Sequence, residues 1–107
     1  MIFLLDDRYP TLLPDPEQAD ENGMVTVSKT LGTERIIAAY KKGIFPWYSE
    51  KTPILWYCPP KRMVLFPNAL KISKSMKHVL KKSKFQVTEN QHFKQVIRHC
   101  KYIQRKQ

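Results

Sequence analysis

Acid is nearly missing from the second half of this chain. Residues 61–107 hold 13 Lys and Arg against a single acid, Glu89, a net of +12, whereas residues 1–60 hold 6 bases and 8 acids, a net of −2. A lone carboxylate excludes a paired-carboxylate mechanism there, because acid and base roles need two groups held at different pKa values. It also leaves the bases few internal partners, which is the electrostatic footprint expected for a polyanion. Glycine is scarce too: Gly23, Gly32 and Gly43 are the only three, so no glycine-rich phosphate loop can form. The two cysteines, Cys58 and Cys100, lack metal-ligand spacing and read as reduced thiols rather than a disulfide framework. Three scattered histidines add no ligand set, and neither cysteine has a His–Asp pair nearby for nucleophilic chemistry. The residues therefore assign no metal site and no self-contained catalytic site. No apolar run approaches the roughly 20 residues that cross a bilayer. Ile2 to Leu5 is too short for a signal-peptide core and runs straight into Asp6 and Asp7. These absences predict a cytoplasmic protein with no membrane partner.

The elements follow from periodicity and punctuation. Residues 9–23, YPTLLPDPEQADENG, read as irregular surface chain. Met24 to Ser28 alternates as a short strand. In TERIIAAYKKG the pattern predicts a helix capped by Thr33, with Glu34 in its first turn, Lys41 and Lys42 in its last, and Gly43 as its stop. Its apolar face is expected to hold Ile36, Ala39 and Tyr40. A strand-like run spans Ile54 to Cys58, and a second, MVLF, spans residues 63–66. From about Ser73 to Lys82 the spacing predicts a helix with Ile72, Met76, Val79 and Leu80 on one side and Lys74, Lys77, His78 and Lys81 on the other. FQVTE, residues 85–89, alternates like a strand. Thr88 with Gln91 offers a capping box for a third helix, with Asn90 as a rival cap. There Phe93, Val96, Ile97 and Cys100 form an apolar stripe, and Lys94, Arg98, Lys101 and Arg105 a basic one. The expected order from residue 63 is thus strand, helix, strand, helix. Two short strands are a poor cover for two amphipathic helices, so this reads as the opening segment of a longer fold.

Against this frame stands KKGIFPWYS, residues 41–49, with three rings in four residues between a glycine and a serine. Exposed ring faces stack on unpaired bases, and Lys74, Lys77 and Lys81, at i, i+3 and i+7, can follow a phosphate backbone. Rings beside a basic stripe suit single-stranded RNA or an RNA end. Phe45 and Trp56 are the most core-like of the rings, and Trp47, after Pro46, the least.

AAYKKGIFPWYS, PILWYCPPKRMVLFP and KISKSMKHVLKKSKFQVTENQHFKQVI together resemble the bacterial leucyl/phenylalanyl-tRNA–protein transferases, over about Asn22 to Tyr102. The run Tyr40–Tyr48 carries most of the likeness. The resemblance implies an α+β chain: a small N-terminal α+β domain over residues 1–60, then over residues 61–107 the opening strand-helix-strand-helix segment of an acetyltransferase-type N-acyltransferase fold, with basic tRNA-facing helices. It implies an aminoacyltransferase that takes leucine or phenylalanine from aminoacyl-tRNA to acceptor proteins with N-terminal Arg or Lys, feeding N-degron proteolysis, with no metal or organic cofactor. It further implies a monomer in the full-length enzyme. By the same resemblance Trp47 and Tyr40 bind the 3′-adenosine, and Lys74, Lys77, His78, Lys81 and Lys82 bind tRNA phosphates. The family's Gly-Gly-Asp-Leu turn reads Ser28-Lys29-Thr30-Leu31 here, and its Trp-Trp-Ser-Pro reads Trp56-Tyr57-Cys58-Pro59. The residues credited with aminolysis, the amino-acid pocket and a second adenosine-stacking tryptophan have no counterpart among these positions. The chain is accordingly expected to be the front portion of the enzyme, inactive alone. Two other readings compete with it: a stand-alone RNA-binding module, and an interaction fragment that pairs through an exposed sheet edge.

Overall fold

A computed structural model of the chain describes residues 2–105. The chain is α+β and divides into two compact units, Met1–Val64 and Leu65–Gln107. The first contains strand β1 (Met24–Ser28), helix α1 (Thr33–Lys41), and strands β2 (Phe45–Pro46) and β3 (Ile54–Tyr57), after a short 3-10 turn at Pro16–Gln18. The second contains a 3-10 turn at Pro67–Ala69 and the helices α2 (Lys74–Lys81) and α3 (Phe93–Tyr102).

In the first unit the sheet order is β1-β3-β2, antiparallel throughout. Thr26 stands opposite Trp56, Ser28 opposite Ile54, Phe45 opposite Tyr57 and Pro46 opposite Trp56. Leu13, Val25, Ala39, Ile44 and Trp56 form the core. The buried Trp56 indole donates to the Ser28 hydroxyl at 2.8 Å, which donates in turn to the Thr30 carbonyl at 2.8 Å. A buried indole N–H is thereby satisfied. Both sheet edges are blunted. Leu4 bridges Val27 on the β1 side, and β2 is two residues long and ends in proline, which lacks a ladder donor.

Helix α1 begins one residue earlier than the sequence suggests. Gly32, at φ +63°, is its N-cap without a side-chain bond, and Thr33 is already helical. The turn is held from the helix side instead, by Arg35. This side chain is fully buried and donates to Asp7 Oδ1 at 2.9 Å, to the Thr30 carbonyl at 2.9 Å and hydroxyl at 3.1 Å, and to the Asp6 and Pro10 carbonyls. Hydrogen bonds from Thr30 and then Arg35 hold the Asp7 carboxyl below its ordinary pKa. Arg35, rather than Tyr40, is the inward-facing partner of Ala39 on α1; Tyr40 is exposed. The helix ends in a Schellman motif: Gly43, at φ +74°, donates to the Tyr40 carbonyl at 3.0 Å, and Ile44 to the Ala39 carbonyl at 2.9 Å. Ile44 and Ala39 are both buried, which supplies the apolar contact of that motif.

The two strands expected after residue 62 do not form: residues 63–66 and 85–89 have no ladder. A strand exists only by pairing, and neither run has a partner among the described residues. Helix α2 matches its expected span, with the Ser73 hydroxyl accepting from the Met76 N–H at 3.2 Å as N-cap. Helix α3 starts later than its expected caps, with His92 as N-cap and no side-chain bond. Asn90 spends its side chain's local adaptability differently, taking a left-handed turn at φ +58°. Every described residue from Leu65 onward is exposed except Val79, which is half-buried.

Candidate nucleic-acid interface

The aromatic site is built by the end of α1. Its Schellman turn swings the chain into β2, and the Trp47 N–H continues the ladder to the Leu55 carbonyl at 2.9 Å. Beyond it the loop closes on itself, with the Ser49 N–H bonded to Thr52 Oγ1 at 3.0 Å and the Thr52 N–H to the Ser49 carbonyl at 3.1 Å. Strand alternation then sorts the rings. Ile44, Pro46 and Trp56 turn to the core side, while Phe45, Trp47, Leu55 and Tyr57 share the other face. Tyr57 stands between its neighbours, with ring centroids 6.4 Å from Phe45 and 6.2 Å from Trp47, the latter edge-on at 64°.

These rings line an open groove of about 410 Å³, completed by Asn22, Tyr48, Ser49, Thr52, Leu55 and Pro59. Trp47 is 72% exposed and Tyr40 62%, but only Trp47 lines the groove. The sequence pattern marks Trp47 as the least core-like ring but does not single out Tyr57, which is the groove's organising ring. It also missed Arg62. That guanidinium lies 5.6 Å over the Phe45 ring, donates to the Gly43 carbonyl, and reaches the Pro59 carbonyl at 3.4 Å and Cys58 Sγ at 3.3 Å. Arg62 thus ties the end of α1 to the end of β3, around the rings. No local pattern marked it, because its partners lie up to 19 positions away.

In the second unit Lys74, Lys77, His78 and Lys81 lie on α2, and Lys82 is its C-cap. All five are exposed, and Lys74, Lys77 and Lys81 keep the spacing of one helix face. None has an acidic partner: among the described residues the two ion pairs are Arg8–Asp6 and Arg35–Asp7. Ile72, Met76 and Leu80, on the other side, are exposed as well. Cys58 and Cys100 are both free thiols. No helix among the described residues is long and apolar enough to cross a membrane.

Two sequence models match the chain. That described as the leucyl/phenylalanyl-tRNA protein transferase N-terminal domain covers residues 30–60, and that of leucyl/phenylalanyl-tRNA protein transferase covers residues 64–107. Among curated proteins named leucyl/phenylalanyl-tRNA–protein transferase, one from Christiangramia forsetii is 51% identical over 86% of this chain and 43% of its own length. One from Flavobacterium johnsoniae is 47% identical over 98% of the chain and 48% of its length. One from Myxococcus xanthus is 43% identical over 97% of the chain and 44% of its length. The chain therefore spans a little under half the length of the curated relatives it matches.

Proposed function

Since the chain belongs to the leucyl/phenylalanyl-tRNA–protein transferase family, we propose that it forms the tRNA-holding part of a cytoplasmic aminoacyltransferase. In the reaction the α-amino group of an acceptor protein beginning with Arg or Lys attacks the ester carbonyl that joins leucine or phenylalanine to the tRNA 3′-adenosine. The C–N bond forms as the ester C–O bond breaks, the amine loses its proton, and the ribose oxygen departs with one. No cofactor is required, because the ester is already activated. Residues 1–60 act as the N-terminal α+β domain and residues 61–107 as the start of the acyltransferase domain, the whole working as a monomer.

Within this chain the roles are binding roles. Trp47 offers its face to the terminal adenine, Tyr40 lines the approach, and Lys74, Lys77, His78, Lys81 and Lys82 neutralise acceptor-stem phosphates. No position matches the groups credited with aminolysis, so the 107 residues alone bind charged tRNA without transferring its amino acid. The observation that carries this reading is the exposure of Trp47 on a groove whose other walls are already fixed. A flat partner meets a ring that needs no rearrangement, which limits the ordering cost of binding.

Filter retention of leucyl-tRNA tests it. Base stacking contributes roughly 1–3 kcal/mol, so Trp47→Ala should weaken binding roughly 5- to 150-fold and leave the salt slope unchanged. Lys74→Ala with Lys81→Ala should lower the slope by up to about two units. Wild-type retention in both variants would dismiss the assignment.

A further inference from the structure

Helix α3 repeats the architecture of α2. Lys94, Arg98 and Lys101 recur at i, i+4 and i+7 and share one face, while Phe93, Val96, Ile97 and Cys100 share another. All three cations are exposed. The positions three and four residues away on that face are Asn90, Gln91, Gln95, Ile97, Tyr102, Gln104 and Arg105, so no carboxylate can fold back on the stripe. The Lys101 ammonium lies 5.3 Å over the Tyr102 ring, a contact that leaves its charge without a counter-anion. Like charges at these spacings destabilise a helix standing by itself. A helix that keeps them uncompensated along one face has a surface matched to an external anion.

We infer that α3 is a second phosphate-binding track, used by the same tRNA in addition to the α2 lysines. The inference rests on the proposed function for the identity of the nucleic acid. At 1.5 Å per residue, Lys94 and Lys101 stand about 10 Å apart along the axis. A stripe of that length can face more than one phosphate of a nucleic-acid strand. RNA, rather than an anionic lipid surface, is the partner because the chain also displays Trp47 on a concave groove, which suits the flat face of an unpaired base.

Salt titration of leucyl-tRNA binding to the full chain separates the alternatives. The variant Lys94→Gln, Arg98→Gln, Lys101→Gln should lower the salt slope by about two units, and its effect should add to that of Lys74→Gln with Lys81→Gln. A charge-keeping set, Lys94→Arg, Arg98→Lys, Lys101→Arg, should hold the wild-type slope. If the α2 variant lowers the slope and the α3 variant does not, α3 has no such role while the proposed function stands. If neither lowers it, both fall. Loss of slope in the charge-keeping set would trace the effect to helix packing and overturn the inference. So would an α3 variant that binds tRNA normally yet loses binding to phosphatidylserine vesicles.

Discussion

Two tryptophans of one small sheet, Trp56 on β3 and Trp47 just past the end of β2, have opposite fates, and the pleat decides which is which. The register Pro46 opposite Trp56 sends both to the core side, where the Trp56 indole finds the Ser28 hydroxyl. One residue along, Trp47 emerges on the other face beside Tyr57. Arg35 shows the reverse case, a charged side chain that is fully buried with each of its three nitrogens donating to an acceptor, through five contacts in all. Arg35→Ala would leave the Asp6, Pro10 and Thr30 carbonyls short of donors, and should destabilise the first unit by about 3 kcal/mol in urea denaturation. The acids of the same turn set an acid limit. Hydrogen bonds from Arg8 lower the Asp6 pKa from 3.8 to about 2, and Asp7 is lowered by Thr30 and Arg35. A carboxylate depressed in the folded state stabilises it fully above the unfolded pKa, and that stability drains away as pH falls through the folded one. The thermal midpoint of the wild type should therefore drop between about pH 4 and pH 2. Asp7→Asn should flatten part of that drop; an unchanged profile in the variant would deny Asp7 its part.

At the scale of elements, what was legible in the sequence was local and what was missed was not. Strand β1, helices α1 and α2, strand β3 and the stop at Gly43 all follow from periodicity, caps and breakers, which act over a few residues. The runs at 63–66 and 85–89 have strand chemistry yet no ladder, because pairing depends on a second segment that a run of five residues cannot specify. Arg35 carries no local mark of its burial, which depends on Asp7 and Pro10, more than 20 positions away. In the candidate site, the residues on α2 and the exposed setting of Trp47 could be read from pattern and position. The place of Tyr57 between two rings and the part played by Arg62 could not, since both arise from neighbours that only folding supplies. Gly43 tests the α1–β2 turn directly. An added Cβ would meet the Arg62 guanidinium at an ordinary 3.9 Å, so Gly43→Ala carries a conformational cost rather than a clash. Left-handed backbone at a residue with a side chain costs roughly 1–2 kcal/mol, and urea unfolding should show a loss of that size.

For the whole molecule, charge and apolar surface divide unevenly. The first unit has a core and nearly balanced charge. The second has two amphipathic helices with exposed apolar faces and almost all of the excess cation. The curated relatives that the chain matches are about twice as long. The central claim is narrower, namely that the indole of Trp47 holds the last base of a tRNA. It is tested most directly by comparing binding of leucyl-tRNA with that of the same tRNA lacking its 3′-terminal adenosine, for the wild type and for Trp47→Ala. The account predicts that the wild type prefers the complete tRNA by about tenfold or more, and that the variant binds both equally with an unaltered salt slope. A variant that keeps the full preference would contradict it.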